Sequence, residues 1–426
     1  MTLVDIIRRV VKYGPRGVKL WASLKIGDIR LRRFMKRNAR SRDFSPERGV
    51  TIIGSFTGRD SINKVMRDLL FMVRDTGIPF QALNTGANED PACSGVLKLL
   101  TPPDLFRIKK HPLVIEMFNG ALQKGIAKDL ANIVFWEFED GFLPVYPAFA
   151  HKAHVIGMSD FVVETLRREL PAGVKVSKLL YPFRPSFGDI PSKSEMRARV
   201  GIPQGAFVVF FNFDFASGFS RKNPDGAMRA FAAAFKDDLD AHLVFKTMRS
   251  KEAPQRVAFL ERLAGELGIA DRFTMVHEYL SNSDLFGLTN ACDVYLSLHR
   301  GEGFGLGVAE AMSLGLPVVV SDSSSTTEFC SVGNSIPVPC QMTAPRPEQR
   351  DHLTYAYVTR WAEPSVSFAA DALRRLKSDP DLRERIGSKA RMYVADHFSL
   401  ANFKASLEML IGGKGGDLRF EESNSR

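Results

Sequence analysis

DVYLSLHRGEGFGLGVAEAMSLGLPVVVSD (293–322) is the stretch that decides the fold. An apolar run of strand length enters a glycine-rich loop, then a helix-forming segment, then a β-branched run that starts after Pro317. Strand, helix and strand in that order build a parallel sheet. Ligands of open parallel sheets sit beyond the carboxyl ends of the strands, so the loop around residue 302 is where chemistry is expected. Gly303 and Gly305 allow close backbone approach, and the amides and dipole of the following helix start favour an anionic group such as a diphosphate. Glu302 lies in the loop and Glu310 eight residues on. Carboxylates there suit sugar and ribose hydroxyls, for which they are good acceptors. The bland reading of the same glycines is a plain strand-to-helix turn.

Upstream, FNFDFASGFSRKNPDGAMRAFAAAF (211–235) places Arg221 and Lys222 just before Asn223-Pro224, and proline suits a first helical turn. Both cations therefore project from a loop at the carboxyl end of a strand, and Lys246 ends the next run, AHLVFK. Arginine grips phosphate oxygens with a fork and lysine acts as a point charge, a combination that offsets charge growing on a leaving diphosphate. Taken singly, each is an ordinary solvated charge.

Further out, short β-branched and aromatic runs alternate with helical segments on either side of residues 182–193, which carry three prolines and read as a linker. Before it lie VTIIGSF (50–56), PFQALNT (79–85), PLVIEMF (112–118), NIVFWEF (132–138), HVIGMS (154–159) and VKVSKLLYP (174–182). After it come FVVFFNFDF (207–215), AHLVFKT (241–247), RFTMVHEYL (272–280), DVYLSLH (293–299) and PVVVSD (317–322). The expected organisation is a basic segment 1–48, a first Rossmann-like domain 49–185, a second 186–395, a helix 396–412 returning to the first domain and a disordered tail 413–426. Two doubly wound α/β domains then face each other across a cleft.

Composition narrows the function classes. No apolar run approaches the roughly 20 residues that span a bilayer, and nothing resembles a secretory signal, so the chain is expected in the cytoplasm. Cys93, Cys292, Cys330 and Cys340 form no C-x2-C pair and read as reduced core thiols. The net charge of +10 is local: residues 1–48 hold fourteen Lys and Arg against four Asp and Glu, leaving 44 of each sign in the remainder. Arg30, Arg32, Arg33, Lys36, Arg37 and Arg40 interleave with Leu31, Phe34 and Met35, a pattern that suits an anionic membrane surface. A solvated arm explains it equally well. Nucleic acid is not indicated, because no recognised binding motif accompanies the charge.

HRGEGFGLGVAEAMSLGLPVV resembles the E-x7-E region of the retaining GT-B glycosyltransferases of the large fourth (group 1) family, and SRKNP with LVFK is similar to its donor-phosphate region. The resemblance covers most of residues 200–400. It implies a transferase that needs neither metal nor cofactor and takes a nucleotide-diphosphate sugar as donor and a glycan or lipid-linked molecule as acceptor. Glu302, Arg221 and Lys222 would be its catalytic residues. Glu302 would bond the transferred sugar, while the backbone of Gly303, Phe304, Gly305 and Leu306 would hold sugar and phosphates. Glu310 would accept from ribose hydroxyls, and Arg221 and Lys222, with Lys246 as a third cation, would neutralise the diphosphate. Tyr279 and Leu280 would line the nucleobase pocket, His299 would touch the donor, and residues 323–328 would close the sugar side. The usual Gly-Arg after the first donor-domain strand is replaced here by Asn212-Phe213-Asp214.

The first domain offers Trp136 as an aromatic platform and Glu137 as a carboxylate for the acceptor, although Trp136 reads equally as core. His111 and His154 flank strands and read as ordinary histidines. Asp238-Leu239-Asp240 and Asp379-Pro380-Asp381 sit at apparent helix boundaries and read as caps rather than metal ligands. A nucleotide-sugar-binding scaffold without activity and a sugar-nucleotide epimerase on the same fold remain open.

Overall fold

The computed structural model describes residues 49–56, 61–84, 99–100, 111, 113–117, 130–185 and 187–412. The basic segment 1–48, Cys93 and the tail 413–426 lie outside them.

Six parallel strands form the first sheet: β1 Val50–Gly54, β2 Phe80–Asn84, β3 Leu113–Met117, β4 Leu130–Val134, β5 His154–Gly157 and β6 Lys175–Lys178. Their order is β2-β1-β3-β4-β5-β6, so the winding reverses between β1 and β3. Every residue of β1 and β5 is buried, as a sheet with both faces covered requires. Helices α1 Ser61–Asp75, α2 Phe142–Val145 and α3 Asp160–Glu169 belong to this half. The Oγ of Ser159 accepts from the Val162 amide and so caps α3.

The second sheet follows α4 Lys193–Val200, where Ser192 and Glu195 make a reciprocal capping box. It contains β7 Phe207–Asp214, β8 Ala241–Met248, β9 Phe273–Val276, β10 Val294–Ser297, β11 Val318–Ser321 and β12 Ile336–Val338 in the order β12-β11-β10-β7-β8-β9. This is the doubly wound order, and its reversal falls between β7 and β10. Its helices are α5 Phe219–Lys222, α6 Pro224–Ala234, α7 Pro254–Glu266, α8 Asn282–Asn290 and α9 Leu306–Ser313. A hairpin of β13 Cys340–Thr343 with β14 Trp361–Pro364 comes next, then α10 Val366–Ser378, α11 Pro380–His397 and α12 Leu400–Ile411. The last helix lies back on the first half: Phe403, Leu407 and Leu410 share a core with Leu69, Leu70 and Val73, and the Leu180 amide donates to Ser406 Oγ at 2.9 Å.

Three readings of the sequence need correction here. The strand expected over 132–138 runs from Leu130 to Val134, because the chain then leaves the sheet to bury Trp136 and Phe138 in an aromatic cluster with Phe142, Tyr355 and Trp361. Asp379 does cap a helix, α11, through the Leu382 amide, but Asp238 instead accepts from the Asp240 amide in a turn and pairs with Lys377. Strands β12, β13 and β14 escape notice because they are three or four residues long, and β12 and β13 carry little buried apolar surface.

The carboxyl ends of the two sheets meet. Phe304 stacks on Tyr181 with ring centroids 3.5 Å apart, and Ser159 Oγ lies 2.8 Å from Ser325 Oγ. Gly301 is where a side chain is forbidden, since a Cβ there would lie 2.3 Å from the Glu137 carbonyl oxygen. Among the described residues no helix is long and apolar enough to cross a membrane.

Candidate functional site

The second sheet's reversal point brings together the ends of β7 and β10. Asn223 fixes the corner. Its backbone is left-handed (φ 56°), its side-chain Nδ2 donates to Leu298 O at 2.7 Å and its Oδ1 accepts from the Gly226 amide at 3.1 Å. The corner carries Arg221 and Lys222, and the Arg300 amide donates to Arg221 O at 2.8 Å, which ties the two loops into one unit.

Glu302 is enclosed by that unit. Lys222 Nζ donates to its Oε1, and Arg221 Nη1 stands 3.3 Å from the same oxygen. The guanidinium is also held by the main chain, donating to Gly301 O and Ser217 O at 2.7 Å each, and reaches Glu137 at 3.8 Å. Only 8% of Glu302 is exposed. Burial alone would push its pKa up, but Lys222 and then Arg221 outweigh it and hold the carboxyl at about 2. Burial lowers the pKa of Lys222, with Glu302 working the other way. The Glu302 amide donates to Ser324 Oγ at 2.9 Å, and Ser324 holds φ 61° to be there. The result is an ionised carboxylate fixed in a buried loop between two cations, able to accept hydroxyl hydrogens and to yield its lysine to a competing anion.

Beyond it, Gly303 packs under the backbone of Trp136, and Gly305 (φ 94°) turns the chain into α9. Leu306 begins that helix, and Glu310 lies one turn in, 7% exposed. Its partner comes from the opposite domain: Lys64 Nζ of α1 stands 3.6 Å from Glu310 Oε1 and 2.7 Å from Asp68 Oδ2. Burial raises the Glu310 pKa, Lys64 opposing and Asp68 adding to the rise.

Several sequence-derived candidates sit elsewhere. His299 is fully buried with Nδ1 3.0 Å from Ser297 Oγ and Nε2 3.3 Å from Thr326 Oγ1, so neither ring nitrogen is offered to a donor. Burial lowers its pKa to about 4, which keeps it neutral. It positions the loop. Trp136 is 1% exposed, with its ring against Phe138, Phe142 and Tyr146 and its Nε1 donating to Asp140 O at 3.1 Å, so it presents no face to a sugar. Phe304 likewise spends its ring on Tyr181. Lys246 is buried, donates to Thr247 O at 2.8 Å and feels Glu278 and Asp214 rather than Glu302. Leu280 is buried and Tyr279 is 55% exposed, both in the loop after β9. Glu137 does reach the cluster, at its edge.

Asn212 and Asp214, at the positions of the missing Gly-Arg, serve the frame: Asn212 accepts from the Tyr295 hydroxyl at 2.7 Å and Asp214 pairs with Arg249 at 2.8 Å. Sequence reasoning passed over Lys64 and Arg300, and held Ser324 only as part of the 323–328 stretch. Arg300 had a signal, a third cation beside the loop. It forks onto Glu363 at 2.7 and 2.8 Å and lies over Trp361.

Residues 192–335 match the family model of glycosyl transferases group 1. The chain is 26% identical over 258 residues to alpha-D-kanosaminyltransferase of Streptomyces kanamyceticus, covering 58% of this chain and 57% of that one. It is 34% identical over 144 residues to D-inositol 3-phosphate glycosyltransferase 1 of Catenulispora acidiphila, 33% of this chain and 32% of that one. The matched regions thus span from about a third to under three fifths of these relatives. Among solved structures, Anabaena HepE in complex with UDP-glucose superposes with a TM-score of 0.61 at 15% identity, covering 85% of this chain and 99% of that one. A glycosyltransferase from Rickettsia africae gives 0.60 at 13% identity, covering 86% and 98%.

Proposed function

We propose, for a chain that has the GT-B fold and carries the group 1 glycosyl transferase segment in its second domain, a retaining hexosyltransferase that needs no metal. Its donor is a nucleotide-diphosphate sugar and its acceptor a glycan or lipid-linked molecule of cell-surface polysaccharide synthesis. Relatives with sugar-transferring names and a neighbour solved with UDP-glucose support the donor class. The observation that carries the reading is Glu302, ionised and buried between Lys222 and Arg221, one loop before the helix that bears Glu310.

The donor's sugar hydroxyls bond Glu302, and its diphosphate draws Lys222 away from that carboxylate. Lys222, Arg221 and the amides at the start of α9 supply the positive field. The acceptor hydroxyl, oriented beside Glu137, attacks C1 from the face the diphosphate leaves. The C1–O bond to phosphate breaks, the new C1–O bond forms, and the acceptor proton passes to the departing phosphate oxygen. The protein positions groups and stabilises charge without forming a covalent bond. Residues 1–48 supply attachment to an anionic membrane, where a lipid-linked acceptor is found.

The test is a thermal-shift and calorimetric screen of nucleoside diphosphates and their sugars in EDTA, then proton NMR of the anomeric signal on the released or transferred sugar. Concentration-dependent stabilisation by one donor and an axial anomer retained in the product are expected. An inverted anomer, or activity lost in EDTA and restored by a divalent cation, overturns the mechanism. Binding without turnover marks a scaffold, and conversion of donor without acceptor marks an epimerase.

A further inference from the structure

Two reversal points face each other, one at β1 and β3 of the first sheet and one at β7 and β10 of the second. Among the described residues, the one side-chain ion pair that joins the helices leaving them is that of Lys64, on α1, with Glu310, on α9. Lys64 is also paired with Asp68 one turn on, at 2.7 Å, so its ammonium lies between two carboxylates. It meets Glu310 at Oε1, and Oε2 accepts from no described residue. Burial works against the Lys64 charge, yet Glu310 and Asp68 outweigh it and raise its pKa, which keeps the ammonium protonated.

We propose that Lys64 is a positioning residue for the donor's ribose: by holding Glu310 through Oε1 it aims Oε2 at the ribose hydroxyls, so that nucleotide recognition by the second domain is completed by the first. This rests on the donor reading above. A carboxylate has about four acceptor sites, and one ammonium leaves enough for two vicinal hydroxyls. Without Lys64 the buried carboxylate loses the only cation within 4 Å among the described residues and takes up a proton or turns away. The consequence is specific. Hydroxyl discrimination, not merely affinity, then depends on a residue from the domain opposite.

Calorimetry on the full chain with UDP, GDP and ADP, followed by the 2′-deoxy and 3′-deoxy forms of whichever binds, tests it. The wild type is expected to prefer the ribonucleotide about tenfold, the scale of one charge-assisted hydrogen bond. In Lys64→Met that preference should shrink to about twofold, and Lys64→Arg, which keeps the charge, should restore most of it. Should Lys64→Met fail to fold, Lys64→Gln must give the same loss. A merely structural lysine would weaken ribo and deoxy forms alike and leave their ratio unmoved, and that result overturns the proposal. So does a wild type that binds nucleotide with no preference for ribose, while the donor reading stands. If no nucleoside diphosphate binds the wild type, the donor reading itself fails.

Discussion

Glu302 and Glu310 are buried to the same depth, eight residues apart on one loop and helix, and their carboxyl groups are shifted in opposite directions. Burial acts on both and pushes both up. The difference is in the partners. Glu302 has two cations from its own domain, Lys222 and Arg221, the latter also tied to two carbonyls. Glu310 shares a single ammonium with Asp68, and that ammonium belongs to the other domain. One acid is preorganised within its domain, whereas the other is complete only when the two domains meet. In the proposed reaction the first should govern turnover and the second donor affinity.

The hardest blow to this contrast is Lys222→Ala. It removes the cation that both neutralises Glu302 and awaits the diphosphate, so kcat should fall by about 10² to 10³, the cost of losing one preorganised group. Steady-state kinetics on a folded variant checks it, and near-normal turnover would remove Lys222 from the site.

Next in size is the pH dependence of stability. The Glu302 pKa is depressed to about 2 from an ordinary 4.5. Between these values the unfolded chain binds the proton more readily, so the stabilisation is present above about pH 4.5 and is lost as pH falls toward 2. Its full size is on the order of 3 kcal/mol. For Glu310 the sign reverses: its raised pKa means stability drains as pH climbs from 4.5 through the folded-state value. Urea titrations of Glu302→Gln and Glu310→Gln against the wild type from pH 3 to 7 should show gaps that change with opposite slopes. Parallel slopes would mean the two sites are electrostatically alike.

How much of this the sequence disclosed follows from range. Glu302, Glu310, Arg221 and Lys222 fall within two motifs of one doubly wound half, and each motif follows a strand whose apolar run is unmistakable. The α/β class and the two-sheet division were legible for the same reason. Lys64 was not, because it lies more than two hundred residues from Glu310 on a helix whose other residues are ordinary for an amphipathic face. Trp136 was legible as an aromatic at a strand end, but the chain leaves the sheet after Val134 and the ring is buried among Phe138, Phe142 and Tyr146, a departure that the unbroken apolar run does not announce. His299 shows the same limit of range. Its spacing from Glu302 suggested the donor, while Ser297 and Thr326 claim both its nitrogens.

A smaller effect separates the two acids in kinetics. Glu310→Gln keeps the shape and the capacity to accept but loses the charge that strengthens ribose bonds, so KM for the donor should rise about tenfold with kcat little changed. A fall in kcat with KM constant would instead put Glu310 among the groups that act in the transition state.

The smallest expected effect guards the others against a trivial explanation. Any variant near these glutamates also perturbs the fold, and a loss of activity through stability alone would mimic a loss of chemistry. Ser192 caps the second domain's first helix, α4, where its hydroxyl accepts from the Glu195 amide and its own amide donates to the Glu195 carboxylate. Ser192→Ala should cost about 1 kcal/mol of stability. It touches no residue of either acid's surroundings, so kcat, donor KM and ribose preference should all stay at wild-type values while the urea midpoint falls. If Ser192→Ala instead moves donor KM, then affinity at Glu310 follows the stability of the whole second domain, and the contrast between a self-contained acid and a shared one loses its footing.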